Sequence, residues 1–462
     1  MSITITGFVF IIMTLYGLIF NQRFLYIITI FFLPFSATAV INVGVEGEGS
    51  SIQPYMFIGF FWMLSFYVKK ISALKIYKAE FKPIAYLLLF TFTALISLIM
   101  PISINGQEYG NVTGKLGEYL PIVFSLKNIT QFMYLLFGVL FSLTLYFHNK
   151  NLQNFNHTIK IYSRAIIFVI AWGILELASH YLGFKYPSII FNNSFNSAAG
   201  GFGAVLDDEL ATTRIASVAV EASILTQTVI ILLPFLVFSR VYNRHIFGNR
   251  QDLIFGIVCI LFILRSTSTT GLLGLFFLFF TCGIFYFQIL KRKKRQRLVI
   301  QIAFILPITI GVIYFFFFGY INNVLFSKGS SYSALERGEA ISGAWRNFLN
   351  YPLLGTGWGS VSSFDLFVRI MSNVGIVGVV FFLMFILAII RNQFKSKQGI
   401  LKYYNVSLIT SFATLLFTNA ISGFSFTFGY FWLIIGLSLI SKFKDSGYQS
   451  EETDLLIDTI IK

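Results

Sequence analysis

Runs of about 20 apolar residues, repeated along the chain, constrain this sequence more than anything else in it. Such a run crosses the hydrocarbon of a bilayer as a helix, because a helix satisfies its own backbone groups where no water can. The chain supplies about a dozen of them. Apolar residues make up 56% of the sequence and charged residues 11%, against roughly 45–50% and about 25% in soluble domains. Aromatic residues at 18%, with 56 Phe, suit lipid-facing and interhelical packing. Length alone would give about three soluble domains, a division that the apolar runs overrule. The expectation is a single membrane domain over residues 1–462, an all-α polytopic membrane protein of about 12–13 transmembrane helices.

The formal charge of +15 invites a nucleic-acid reading, but the cations sit in short connections beside apolar runs. Lys69, Lys70, Lys75, Lys78 and Lys82 form one group; Arg240, Arg244 and Arg250 another. KRKKRQR at 291–297 and Lys395, Lys397 and Lys402 follow. Short basic loops mark the cytoplasmic side of a membrane protein, so no nucleic-acid partner is expected; the partner is the bilayer. Cys259 and Cys282 both lie in apolar runs and make neither a disulfide framework nor a metal site.

The expected spans fall near 3–20, 24–43, 54–69, 84–104, 128–147, 159–182, 215–238, 253–264, 271–290, 298–318, 367–390, 403–421 and 424–440. Counting sides from the basic loops places 44–54, 105–127, 183–214 and the large loop 319–366 outside the cytoplasm, and a tail at 441–462 inside. The first segment lacks the basic start and small-residue cleavage pattern of a removable signal. Pro34, Pro101, Pro234 and Pro307 lie in or near spans, where neighbours must satisfy the freed carbonyls.

Three polar constellations stand out. TTRIASVAVEAS at 212–223 places Arg214 and Glu221 seven residues apart, one face of a continuous helix. An ionisable Glu two turns inside a membrane helix is functional or paired; a purely structural Arg214–Glu221 pair is the alternative. Asp207, Asp208 and Glu209 precede it and read as hydration of the loop. LRSTSTTG at 264–271 puts Arg265 at a non-cytoplasmic hairpin with five hydroxyl residues, either a headgroup site or a turn with capping hydroxyls.

The third, RGEAISGAWRNFLNYPLLGTGWGS at 337–360, is a polar island between apolar segments. Arg337 and Arg346 suit an anion, since guanidinium binds phosphate in bidentate fashion and keeps its charge. Gly355, Gly357 and Gly359 allow close backbone approach or positive φ. Trp345 and Trp358 suit stacking on a sugar, and equally an interfacial aromatic belt. His180 reads as an interfacial residue.

These segments resemble the O-antigen polymerase and ligase superfamily of bacterial membrane glycosyltransferases. TTRIASVAVEAS is similar to its Arg…Glu-Pro-Ser segment, with Ala222 where Pro is common. STSTTGLLGL is similar to its Ser-Arg-Gly…Leu-Gly hairpin, with Thr269 for the Arg. Arg337 through PLLGTGWGS, followed by NVGIVGVVFFL, is similar to its Arg-to-Pro-Leu-Leu-Gly-x-Gly-x-Gly loop and the span after it. Ligase members carry a His-Asn pair about eleven residues before the Gly of that span. Here Phe364 and Asp365 stand there, so the resemblance implies the polymerase branch.

The resemblance implies a class C glycosyltransferase-like fold whose large extracytoplasmic loop bears short helices, in a bacterial cytoplasmic (inner) membrane. It implies a polymerase of O-antigen or capsule repeat units, passing a growing glycan from undecaprenyl pyrophosphate to a new lipid-linked unit at the outer leaflet. No cofactor or metal is implied, and a chain-length regulator and a flippase are the implied partners. Arg214 and Arg337 would clamp the pyrophosphate, with Arg265 and Arg346 next; Glu221 would orient an arginine or act as base, with Asp365 second. Gly355, Gly357 and Trp358 complete the substrate-binding set. The alternatives are a ligase-type transferase and a lipid-linked oligosaccharide flippase.

Overall fold

The computed structural model describes residues 1–44, 50–72, 81–111, 116–195, 205–207, 212–292, 332–395, 400–423 and 425–443. The first helices are α1 (Ile5–Ile19), α2 (Gln22–Phe31), α3 (Pro54–Ser72), α4 (Phe81–Ser97), α5 (Met100–Ile104) and α6 (Leu126–His148). There follow α7 (Leu152–Leu182), α8 (Ser188–Phe191), α9 (Ala222–Ile230), α10 (Leu233–Val241), α11 (Asn249–Arg265) and α12 (Thr269–Arg292). After residue 331 come α13 (Tyr332–Asn350), α14 (Leu366–Lys395), α15 (Ile400–Ile421) and α16 (Gly429–Ser438).

Seven helices among the described residues are long and apolar enough to cross a membrane: Lys82–Ile104, Leu126–His148, Leu152–Leu182, Ala222–Val241, Thr269–Phe287, Leu366–Phe394 and Lys402–Ile421. Three shorter apolar helices, Ile5–Ile19, Gln22–Phe31 and Gly429–Ser438, cover three further expected spans. The expected span at 298–318 and the tail beyond 443 lie outside the described residues. Large apolar side chains stand exposed along the outer helices, such as Phe8, Ile12 and Ile19 on α1 and Phe276 and Phe280 on α12. In water so large an apolar surface would drive association; against lipid it is the ordinary outside of a helical bundle.

Among the described residues short antiparallel strands lie outside the helices and depart from the all-helical expectation. β1 (Ser2–Ile3), β2 (Ile41–Val43) and β3 (Ser50–Ile52) form one small sheet, in that order. β4 (Tyr109–Asn111) pairs with β5 (Tyr119–Pro121), and β6 (Val205–Asp207) with β7 (Thr212–Arg214).

Helices α9 and α10 run through the middle of the bundle: 94% of the apolar stretch they share is enclosed by protein. The helix breaks at residues 231–232, just ahead of Pro234, whose ring and missing N–H forbid a regular ladder. Phe235 N–H bonds Leu232 O (3.1 Å) instead of Ile231, and the Ser411 hydroxyl of α15 donates to the freed Ile231 carbonyl at 2.8 Å. Tyr162 and Tyr403 donate to Thr228 O (2.8 Å) and Phe235 O (3.0 Å) on either side. Neighbouring helices thus satisfy a broken span, as the hydrocarbon requires. Pro101 likewise opens the short helix α5 after a turn that ends α4.

Segments between the helices contact one another. Ala37 N–H donates to Val218 O (3.0 Å), and Ser194 N–H to Ala37 O (3.0 Å). Ser362 N–H donates to Asn111 O (2.9 Å), and Gly117 N–H to Glu339 Oε2 (3.1 Å). The segment between α15 and α16 joins the two groups, through Tyr55 OH to Thr427 O (2.6 Å) and Phe426 against Trp358 (4.8 Å between rings).

Close packing of α6 on α16 depends on Gly138, where a Cβ would collide with the Trp432 indole. Because Trp432 is fully buried, it has no room to yield. Gly138→Ala is therefore expected to lower stability by about 1–3 kcal/mol, read as a lower melting temperature in detergent.

Candidate functional site

The site begins at a break in α14. Gly375 has φ 61° and ψ −165° inside a helix that otherwise continues on both sides, a conformation open essentially to glycine alone. The break strips partners from two carbonyls before it and two N–H groups after it. The loop 351–363 supplies all four. Thr356 N–H donates to Ser372 O (2.8 Å) and Gly357 N–H to Asn373 O (3.1 Å). In return Ile376 N–H donates to Pro352 O (2.8 Å) and Val377 N–H to Leu353 O (3.4 Å). A Cβ at Gly375 would collide with the Leu353 carbonyl, so helix and loop touch backbone to backbone.

The glycines of the loop serve the same contact. Gly355, Gly357 and Gly359 have φ of 64°, 100° and 80°. A Cβ on Gly357 would run into Pro101 of α5. The N–H groups of Gly355 and Gly357 are engaged inside the protein, the former with Tyr351 O at 3.0 Å. Two asparagines lock the rest. Asn373 Nδ2 donates to Val361 O (2.9 Å) while its Oδ1 accepts from Val361 N–H (3.3 Å). Asn128 Nδ2 donates to Trp358 O (2.8 Å) and Ser360 Oγ (2.9 Å), and Ser97 Oγ accepts from Trp358 N–H (3.1 Å).

Trp358 is thereby driven inward. It is 3% exposed, packed between Phe90 and Phe426. Beside it lies a small cleft of about 10 Å³, lined by Gln131, Trp358, Gly359, Arg369, Asn373 and Phe426. That is room for about one water-sized atom. Arg369 stands one turn inside α14, and Lys127 is close enough for the two cations to repel.

The polar island is largely a helix rather than a loop. Arg337 and Arg346 both lie on α13 and, nine residues apart, on opposite faces. Arg337 is half-buried with its guanidinium 5.5 Å from the Phe364 ring, and its Nε has no hydrogen-bond partner. Arg346 is exposed, near the Tyr119 hydroxyl, whose pKa is raised by desolvation and Glu339 and lowered by Arg346. Trp345 is exposed beside Phe348.

Arg214 and Glu221 do not share a helical face. Arg214 ends β7, the chain turns through Ser217 at φ 53°, and Glu221 is the exposed residue that precedes α9. The cause is Glu176, buried on α7, whose carboxylate accepts from Ala216 N–H (3.3 Å) and Ser217 N–H (2.6 Å). It holds the segment as a turn, so the helix starts only at Ala222 and Glu221 is not sunk two turns into a span. Glu221 Oε2 accepts from Ser223 Oγ at 3.0 Å. Asp208 and Glu209 lie outside the described residues, and Asp207 ends β6.

Arg265 closes α11 and donates to the Tyr181 hydroxyl (2.9 Å). The hydroxyls after it are packed inside: Ser266, Thr267, Ser268 and Thr270 are all buried, and Gly271 lies tight against Thr226 of α9. The hairpin is neither solvated nor an open headgroup site. Asp365 immediately precedes α14, its Oδ1 accepting from Val368 N–H (2.9 Å); burial raises its pKa and backbone N–H groups of Val368 and Phe367 oppose that. His180 is exposed at the end of α7. Cys259 and Cys282 are free and buried. Among the described residues no group of three or more His, Cys, Asp or Glu is placed to hold a metal ion.

Sequence reasoning passed over Arg369, Lys127, Asn373 and Asn128. The available signal was an ionisable residue just inside an apolar run for Arg369, and a Ser-x-x-Asn capping pattern for Asn128, where Ser125 and Asn128 form a capping box.

Gly375→Ala is expected to destabilise the protein by about 1–3 kcal/mol through backbone strain alone, with the collision adding to it. Asp365→Ala should cost about 1 kcal/mol and Asp365→Asn much less, since Asn caps equally well. Thermal unfolding in detergent measures both. No protein-family model, curated protein or solved structure matches this chain.

Proposed function

We propose that the protein is a glycosyltransferase of the polymerase type, joining lipid-linked glycan repeat units at the extracytoplasmic face of a bacterial membrane. The observation that carries the reading is the half-buried Arg337, held on a helix at the loop end with its Nε unpartnered, beside a rigidly clamped aromatic loop. Such a cation suits the pyrophosphate of a lipid-anchored donor. The resemblance of the segments at 212–223, 266–275 and 337–383 supplies the reaction class.

In this reaction an acceptor sugar hydroxyl attacks the anomeric carbon of the donor glycan. The bond from that carbon to the pyrophosphate oxygen breaks, the lipid pyrophosphate leaves with the electron pair, and the hydroxyl proton passes to a base. Positioning and charge neutralisation are what such a step needs most. Arg214 and Arg337 neutralise the leaving group, with Arg265 and Arg346 at the margin. Glu221, exposed ahead of α9, is the carboxylate available to take the proton, whereas Asp365 already accepts from the first turn of its helix. Trp358 acts by shaping the loop from within, because it is too buried to stack on a glycan.

One observation favours a second reading, a flippase for the same lipid-linked glycan. Ser407, Thr410 and Thr414 lie along one face of α15, with Ser422 just past its end, all buried and with side-chain oxygens that have no partner in the protein. A hydrated track through the bundle would use such hydroxyls.

Complementation of a host lacking its own polymerase separates the two. A glycan ladder is expected with the wild-type chain, collapsing to single repeat units in Arg337→Ala and Arg214→Ala at equal membrane levels. No ladder, with lipid-linked repeat units accumulating on the cytoplasmic face of cells lacking the protein, would transfer the assignment to the flippase.

A further inference from the structure

The cleft under the glycine loop has a chemistry of its own. Trp358 lines it, is 3% exposed, and has an indole N–H with no acceptor in the protein. An orphaned buried donor is destabilising, so its retention in a loop tied down by so many hydrogen bonds calls for a partner from outside. Indole and guanidinium groups only donate hydrogen bonds, as does a lysine ammonium. Arg369 lines the same cleft and Lys127 stands near it. Gln131 adds an amide. The Asn373 amide is committed to the loop and to the Arg369 carbonyl (2.7 Å), which leaves it to hold Arg369 in place.

A cation and a neutral donor lining a space of about 10 Å³, with a second cation near enough to repel the first, fit one anionic oxygen. We propose that Arg369 and the Trp358 indole form a subsite for a phosphoryl oxygen, the pyrophosphate of the lipid-linked substrate, with Lys127 adding positive charge near Arg369. The pyrophosphate identity rests on the polymerase reading; the anion selectivity does not. The hydrogen bonds across the Gly375 break tie the loop that carries Trp358 to the helix that carries Arg369.

The experiment is titration calorimetry on the full chain in phosphatidylcholine nanodiscs, with geranyl pyrophosphate, inorganic pyrophosphate and glucuronate as probes. Wild type should bind a pyrophosphate and not glucuronate. Arg369→Gln should weaken that binding at least about tenfold, with Arg369→Lys recovering part of it. Trp358→Phe, which keeps the packing and removes the N–H, should weaken it by about threefold or more. Binding of geranyl pyrophosphate alone assigns the site to a lipid-linked substrate; equal binding of inorganic pyrophosphate assigns it to the free anion. Wild-type binding of neither pyrophosphate, selective binding of glucuronate, or unchanged affinity in both variants overturns the subsite. If Arg369→Gln does not fold, Trp358→Phe decides. Unchanged affinity together with a ladder that depends on Arg337 overturns the subsite and leaves the polymerase reading standing; weakened affinity in a chain that makes no ladder does the reverse.

Discussion

Four backbone hydrogen bonds exchanged between the broken helix α14 and the loop before it organise the candidate site. A helix interrupted at a glycine in a membrane exposes carbonyls and N–H groups that lipid cannot satisfy. Here Ser372 and Asn373 give up their carbonyls to Thr356 and Gly357, while Ile376 and Val377 donate back to Pro352 and Leu353. Once that exchange is made, Asn373 and Asn128 fasten the rest of the loop, Trp358 turns inward, and Arg369 is left facing it across the cleft.

The same logic recurs at the centre of the bundle. The break ahead of Pro234 is satisfied from α15 by Ser411, and Gln227 on α9 reaches both Tyr430 and the Thr418 carbonyl. Discontinuous helices are tolerated in both places because other protein groups, not lipid, meet the freed backbone. The consequence is that each break is tied to a neighbouring segment before any ligand is considered.

Much of the fold was legible because the hydrophobic runs are long and the basic loops short. Charge assigned the segments around 44–54, 105–127, 183–214 and 319–366 to one side; in the structure Phe195 contacts Ser51, Ser362 contacts Asn111 and Gly117 contacts Glu339. The site was legible only in outline. Gly355 and Gly357 marked a close approach correctly in kind, but sequence cannot say that the approaching group is the backbone of Ser372 and Asn373 rather than a ligand. The helical pairing of Arg214 with Glu221 failed because Glu176, some 40 residues away, holds the intervening turn. Arg369 was hidden by its hydrophobic neighbours: a lone cation in an apolar run looks like a span until Trp358 is seen beside it.

Hydrogen exchange followed by mass spectrometry, on the protein in nanodiscs without substrate, tests the clamp most directly. Peptides covering 352–361 and 370–379 should exchange as slowly as the adjoining helices, because their N–H groups are bonded to one another before any ligand arrives. Exchange of 352–361 at the rate of a solvated loop, slowed only when a lipid pyrophosphate is added, would contradict a preformed clamp and place the ordering of the site at the moment of binding.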